Sequence, residues 1–335
     1  MLLLGSCLRA RSGASAEPVS EPADESAGGG GRSLQARCLS GALRLTVRPL
    51  IGAWTVVPWL PWPYQLADLA GLLGRPVRGT RFSAVEIGGV RVQEVLPDRV
   101  AVGRTVLYFH GGAFLVGGWL LHRSLLSRIA AATSARVLAV DYRHLPAHPV
   151  SAAVADCAAV YAALAAEADA AELVVMGDSA GGFLSFTTLA GALAAGLPMP
   201  AAVVALSPLC EVRPELGSDP TTGCALFGPR TIAAMLRFAS AREHTPGHHH
   251  PSDALADGLP PILIEVARHE SLYPQVERFA EELRAAGAEV DLHSWDLDVH
   301  VFQAAAGWVP EAKDALAYLA QFCESAWGTA QRRRR

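Results

Sequence analysis

Apolar residues recur in two rhythms along most of this chain. Short runs at 82–87, 90–95, 105–109, 136–140, 173–176, 201–206, 261–266 and 289–295 are rich in Val, Ile, Leu and Phe and have the length of strands. Between them, stretches at 120–132, 151–165, 275–286, 307–323 and from 180 onward space their apolar residues helically. Gly88-Gly89 separates the first two runs, a hairpin signal. From 105 on, strand and helix alternate, which predicts an α/β fold with a mostly parallel central sheet and helices on both faces.

Two apolar segments fall outside that alternation. Over 39–75, Trp54, Trp59, Trp62 and a series of leucines are interrupted by prolines 49, 58, 61 and 63, which predicts one or two broken helices. Their spread fits a helical cap laid over a site, or an element resting on a membrane surface. With only Arg44 and Arg48 as basic charge the cap is preferred, and a peripheral membrane contact stays open. The Pro-, Gly- and His-rich stretch 210–257, with a helical pattern at 229–240, reads as a second cap piece. Residues 1–33, mostly Ala, Ser, Glu, Pro and Gly, predict a disordered tail. Residues 34–326 then form a single domain and 327–335 a frayed basic end.

Composition narrows the function classes. At 335 residues and 51% hydrophobic content, the chain can bury one large core. A formal charge of −4, with no basic stripe before the last few residues, argues against nucleic-acid binding. The six cysteines show neither paired nor metal-ligand spacing, so they read as isolated thiols of a reducing, cytoplasmic compartment. No segment reaches the ~18 uninterrupted apolar residues of a membrane span. His244, His248, His249 and His250 cluster without an acidic or cysteine partner at ligand spacing, so a solvated loop is expected, with no metal and no cofactor.

Candidate chemistry concentrates where the 173–176 run ends, in Gly177-Asp178-Ser179-Ala180-Gly181-Gly182. A G-x-S-x-G pattern between a strand and a helix is a nucleophile elbow, with glycines where the turn is too tight for side chains. The helix that follows brings free N–H groups and a positive dipole to a developing oxyanion. The 105–109 run ends in His110-Gly111-Gly112-Ala113-Phe114, where glycines let backbone N–H groups approach a ligand as the second half of an oxyanion hole. The glycine spacing does not match a dinucleotide loop. A serine nucleophile needs a base, and the base a carboxylate. On elbow hydrolases these follow the serine in the order acid, histidine. Glu270, just past the 261–266 run, is the candidate acid ahead of Asp257 and Glu265; His300, after the 289–295 run, is the candidate base ahead of His293 and His269.

Assembled in this way, the chain resembles the hormone-sensitive-lipase-like branch of the α/β-hydrolase fold family, over about residues 39–322. The residues that carry the resemblance are His110-Gly111-Gly112, Asp141-Tyr142-Arg143, the 177–182 elbow, Glu270-Ser271-Leu272 and Val299-His300-Val301-Phe302. It implies Ser179 as nucleophile, His300 as general base and then acid, and Glu270 as the orienting carboxylate. Gly111, Gly112 and Ala180 would supply the oxyanion-hole N–H groups. The chain departs from the family at Ala113, usually a third glycine, at Glu270, often Asp, and at His144-Leu145-Pro146-Ala147, usually Leu-Ala-Pro-Glu. The implied function is an esterase/lipase-like serine carboxylester hydrolase acting through an acyl-enzyme on short- or medium-chain esters. An amidase or deacetylase with the same triad, and a non-catalytic small-ligand receptor on the same fold, are the alternatives. Trp119, Phe114, Phe227 and the 54–62 region are candidates for crowding an acyl pocket; oligomeric state leaves no signature.

Overall fold

The computed structural model describes residues 31–60, 62–167, 170–212, 223–228, 230–242 and 258–332. Two units divide after Gly31, and the second, from Arg32, carries the elements that follow. Strands β1 (Arg81–Ile87), β2 (Val90–Leu96), β3 (Thr105–Phe109), β4 (Arg136–Val140), β5 (Leu173–Asp178), β6 (Ala202–Leu206), β7 (Ile262–Ala267) and β8 (Val290–Trp295) form one sheet in the order β1-β2-β4-β3-β5-β6-β7-β8. Strand β2 is antiparallel to β1 and β4, and every other pair is parallel. Gly88 and Gly89, with φ of 59° and 77°, make the β1–β2 turn, where two successive positive φ values favour glycine.

Side chains alternate across the sheet with the period of two that a pleated strand imposes. Leu107, Phe109, Val175, Val203, Ala205 and Ile264 join the core built with α5 (Val150–Glu167), α6 (Ala180–Ala194) and α8 (Tyr273–Ala285). Val106, Tyr108, Val174, Met176, Val204 and Leu263 join the opposite core, built with α4 (Trp119–Thr133) and α9 (Pro310–Arg332). Covered on both faces, the central strands are apolar at nearly every position, which is why they read as continuous runs. Nearly all of α6 is buried, so its first turn, and the residue before it, are held hard against the strand ends.

A carboxyl group is buried among these apolar side chains. Glu265, in β7 with Leu263 and Ala267, is fully buried, and its Oε2 accepts from Gln303 Nε2 at 3.1 Å. Burial pushes its carboxyl up to about 8. The unfolded chain gives up this proton near pH ~4.3, so between that pH and about 8 the folded state holds a proton that the unfolded state lacks. Stability is therefore lost as pH rises through that window, at ~1.4 kcal/mol per unit. Glu265→Gln, which has no charge to desolvate, is expected to raise the unfolding free energy by an amount growing from near zero at pH 4 to on the order of 4 kcal/mol at pH 8. Urea melts at the two pH values check this, and an equal gain at both would refute it.

Several boundaries differ from expectation. The cap consists of α1 (Leu34–Leu45), α2 (Val47–Val56), α3 (Tyr64–Asp68) and a 3₁₀ turn at Leu69–Leu73, and so begins at Leu34 rather than near 39. Arg32 and Ser33 are bound into the fold instead of ending a tail: the Ser33 hydroxyl caps α1 by accepting from Ala36 N–H at 3.1 Å. The Ser33 N–H and Oγ both donate to the Glu311 carboxylate at 2.7 Å. Helix α9 continues to Arg332, past the expected end near 323, because Cys323, Ala326 and Trp327 extend its buried stripe. Trp327 also donates Nε1–H to the Glu172 carbonyl at 3.0 Å, so it is packed into the fold and the helix runs on past it to Arg332. The second cap piece supplies α7 (Thr231–Ser240), whose Phe238 meets Trp54 of α2 edge-on at 5.3 Å. Residues 1–30, 213–222, 243–257 and 333–335, with the expected tail and the histidine cluster, lie outside the described residues.

Candidate active site

Strand β5 ends at Asp178 and α6 begins at Ala180, leaving Ser179 to make the turn. Its φ of 50° and ψ of −117° lie outside the regions open to an L-residue, a strain of about 1–3 kcal/mol. The surroundings impose it. Ser179 N–H donates to the Leu206 carbonyl at 2.9 Å, and its own carbonyl accepts from Gly182 N–H at 3.0 Å and Leu209 N–H at 2.9 Å. A Cβ on Gly181 would overlap the Phe109 carbonyl, and one on Gly177 the Gly181 carbonyl, so neither neighbour can carry a side chain. Among the described residues, six non-glycines have positive φ, and all but Ser134 stand in this region: Ala113, Phe114, Ser179, Ser207 and Val301. Strain of this kind persists where the surrounding structure over-determines it, and it gathers at functional sites.

The next strand ends supply a carboxylate and an imidazole. Glu270 follows β7 and His300 follows β8; both are buried, with His300 Nδ1 3.2 Å from Glu270 Oε1. Facing a carboxylate oxygen, Nδ1 carries the ring proton and Nε2 is left with a lone pair. That Nε2 is buried and has no hydrogen-bond partner among the described residues. The Ser207 hydroxyl donates to Glu270 Oε2 at 2.8 Å and accepts from Val301 N–H at 3.3 Å, so one side chain ties down both the acid and the histidine loop. Leu206, just before it, is the residue that accepts the Ser179 N–H. Ser179 Oγ is not hydrogen-bonded to Nε2 in this state, such contacts often being long before substrate binds. The rejected histidines are occupied elsewhere: His269 bonds Asp296 at 2.7 Å, and His293 stacks on Trp295.

The loop after β3 corrects one expectation. Gly111 N–H donates to Asp178 Oδ1 at 2.9 Å, so it is committed to the protein and not free for a substrate oxygen. A side chain at Gly111 would collide with that same carboxylate. The N–H groups of Gly112 and Ala113 have no acceptor among the described residues, and Ala180 N–H, at the first position of α6, has no carbonyl within its helix. The donors available for an oxyanion are therefore those of Gly112, Ala113 and Ala180.

Asp178 is the hub beneath that loop. Its Oδ1 accepts from Tyr108 O–H at 2.7 Å as well as from Gly111, and its Oδ2 lies 3.3 Å from His122 Nε2. Burial lifts the Asp178 pKa, but the His122 charge and the hydrogen bonds from His122, Tyr108 and Gly111 outweigh it and hold the carboxyl below its ordinary value. Burial pulls His122 down, and the Asp178 charge and hydrogen bond reverse that, so its pKa ends raised. The two form a buried ion pair. Burial, then the charges of His122 and His144, drive His110 down to about 3, so it stays neutral, stacked on Tyr142 at 4.3 Å between ring centroids. Tyr142 O–H donates to the His110 carbonyl at 2.7 Å and fixes the entry to the loop. Sequence reasoning singled out neither Ser207 nor Asp178 nor Asp178's partners Tyr108 and His122; the one signal was the Asp inside the elbow motif.

The pocket candidates separate. The Phe227 ring lies 4.9 Å from the His300 ring. Phe114 packs edge-on against Phe183 of α6 at 5.9 Å. Trp119 instead packs on Phe82 and under Arg123, on the β1 side of the sheet.

Known proteins carry the same arrangement of chain. The α/β-hydrolase fold family matches residues 106–304, from β3 through the histidine loop. The carboxylesterase/phospholipase LipF of Mycobacterium tuberculosis is 34% identical over 315 residues, covering 88% of this chain and 83% of its own length. An acetyl-hydrolase of Streptomyces hygroscopicus is 34% identical over 249 residues, covering 73% of this chain and 83% of its own. The crystal structure of an esterase from the bacterial hormone-sensitive lipase family aligns with a TM-score of 0.77 at 28% identity, over 88% of this chain and 99% of that one. The chain belongs to the α/β-hydrolase fold family. Its place within the family is the hormone-sensitive-lipase-like branch.

Proposed function

We propose that this protein is a serine carboxylester hydrolase that cleaves short- or medium-chain acyl esters through an acyl-enzyme on Ser179. Hydrolysis of the carboxylesterase/lipase type is common to the family and these relatives, so the proposal concerns residues and substrate. One observation carries it: His300 presents a buried, unpartnered Nε2 on a ring held through Nδ1 by Glu270, and Glu270 is tied through Ser207 to the end of β6, where Leu206 anchors the strained Ser179.

In the first half-reaction Ser179 Oγ attacks the acyl carbonyl carbon while His300 Nε2 takes its proton. Glu270 stabilises the imidazolium, and Ser207 keeps Glu270 from turning away. The carbonyl oxygen gains its charge among the N–H groups of Gly112, Ala113 and Ala180, which are preorganised and need no rearrangement as the charge develops. His300 returns the proton to the departing alkoxide. Water then repeats the sequence on the acyl-enzyme and releases the acid.

Phe227 against His300 supports a wall close to the reacting carbon and hence a limited acyl length, in keeping with a relative that is by name an acetyl-hydrolase. The substrate is a small-molecule ester. No helix among the described residues is long and apolar enough to cross a membrane, and the free thiols of Cys157, Cys210, Cys224 and Cys323 support a reducing, cytoplasmic setting. Hydrolysis of p-nitrophenyl esters from acetate to palmitate tests the proposal, together with mass spectrometry of the protein after treatment with a fluorophosphonate. The expected result is a rate maximum at short or medium acyl length and a single adduct on Ser179. An adduct elsewhere, or a maximum at palmitate, would overturn the corresponding part.

A further inference from the structure

The geometry points to the cap as a docking surface for an anionic lipid–water interface. Ten of the thirteen large apolar side chains exposed among the described residues fall between Leu34 and Leu73. Helix α2 shows the pattern plainly. Its inner side buries Trp54 against Phe238, while Leu50 and Val56 face outward, and its only polar side chains, Arg48 and Thr55, bond the Cys224 and Gly52 carbonyls. A helix apolar all round is ordinarily covered on every side, yet Leu50 is 60% exposed, and Trp59, in the turn that follows, 73%. The outward residues Leu66, Leu69 and Leu72 repeat the pattern at three-residue spacing.

Charge identifies the occupant. From Arg32 to Val85 the sequence holds seven arginines, no lysine and a single acidic residue, Asp68, whose carboxylate accepts from Leu121 N–H at 2.8 Å. Arg32 pairs with Asp296 and Asp298, and Arg44 with Asp298, but Arg37, Arg75, Arg78 and Arg81 are exposed with no carboxylate partner among the described residues. A chain with a net charge of −4 thus places unpaired positive charge beside its exposed apolar stripes. Pairing two copies through this face would set arginines against arginines. Anionic headgroups over acyl chains complement both features, and Trp is the side chain favoured at that boundary. The protein would lie on such a surface through the cap, which also meets the histidine loop where Ser40 and Arg44 of α1 bond Asp298.

Flotation of the full chain with vesicles tests this independently of catalysis. Binding is expected to phosphatidylcholine vesicles carrying one quarter phosphatidylglycerol, and at least tenfold weaker binding to pure phosphatidylcholine. The combined variant Leu50→Asp, Leu66→Asp, Leu72→Asp is expected to lose binding at least tenfold, as is Arg37→Glu, Arg75→Glu, Arg78→Glu, Arg81→Glu. Both should hydrolyse soluble p-nitrophenyl butyrate in vesicle-free buffer within twofold of the wild type, a readout that tracks the catalytic reading alone. Equal binding by either variant and the wild type, or no binding to the anionic vesicles, overturns the proposal. So does light scattering that finds a wild-type dimer which the apolar variant dissolves.

Discussion

Ser179→Ala is expected to lower kcat/KM for p-nitrophenyl butyrate by roughly 10⁴–10⁶-fold, with His300→Ala costing about as much and the double variant no more than either. Without the hydroxyl there is no atom to form the acyl-enzyme. Without the imidazole the hydroxyl keeps its proton and is a poor nucleophile. Each change removes the same pathway, so their effects do not add. What remains is the stabilisation offered by the free N–H groups of Gly112, Ala113 and Ala180. Ser207→Ala belongs to a different category: it leaves nucleophile and base in place but frees Glu270 Oε2 and the Val301 N–H. Steady-state kinetics on the wild type and the four variants, with circular dichroism to confirm folding, decide the matter. Additive losses in the double variant would mean that Ser179 and His300 do not act as a unit.

The second large effect lies one residue earlier. Asp178→Ala is expected to destabilise the protein by about 4 kcal/mol, since breaking a buried pair leaves one charge uncompensated at ~3–5 kcal/mol and orphans further donors. The orphans are the Tyr108 hydroxyl and the Gly111 N–H, with His122 left without its counter-ion. Release of Gly111 also loosens the loop that carries the Gly112 and Ala113 donors, and loss of one oxyanion donor costs ~10²–10³ in kcat. Asp178→Asn keeps an oxygen for Tyr108 and Gly111 and turns its amide toward a His122 that is then neutral. It should fall between the wild type and the alanine variant in both stability and kcat. Urea unfolding and kinetics measure the order, and an alanine variant within 1 kcal/mol of the wild type (~5-fold in the folding equilibrium) would show that the buried pair is not what holds the loop.

Much of the architecture was written in local pattern. Strand β3 and strand β4 occupy the very residues their apolar runs marked, because strands buried on both faces leave no polar interruption to blur their ends. The elbow was legible for a related reason: Gly177 and Gly181 are required by backbone atoms within a few residues or in the adjacent strand, so the motif itself encodes the turn. Where an element's end depends on a distant contact, pattern failed. Helix α9 outruns its apparent stop because Trp327 finds the Glu172 carbonyl, and α1 starts early because Ser33 finds Glu311.

At the site the division is the same. The sequence by itself determined the tight turn at Ser179, its flanking glycines, and the order in which Glu270 and His300 follow, since these reside in short motifs whose geometry is local. Only the tertiary structure decided which N–H groups remain free. Gly111 and Gly112 are indistinguishable as neighbours in a glycine pair, and what separates them is Asp178, brought beneath Gly111 by the parallel register of β3 and β5. Likewise Ser207 meets Glu270 and Val301 because β6, β7 and β8 end side by side, and Glu265 holds its proton because α9 closes over β7. Hydrogen-bond satisfaction and burial are properties of what surrounds a group, and for these groups the surroundings come from strands and helices far away in the chain.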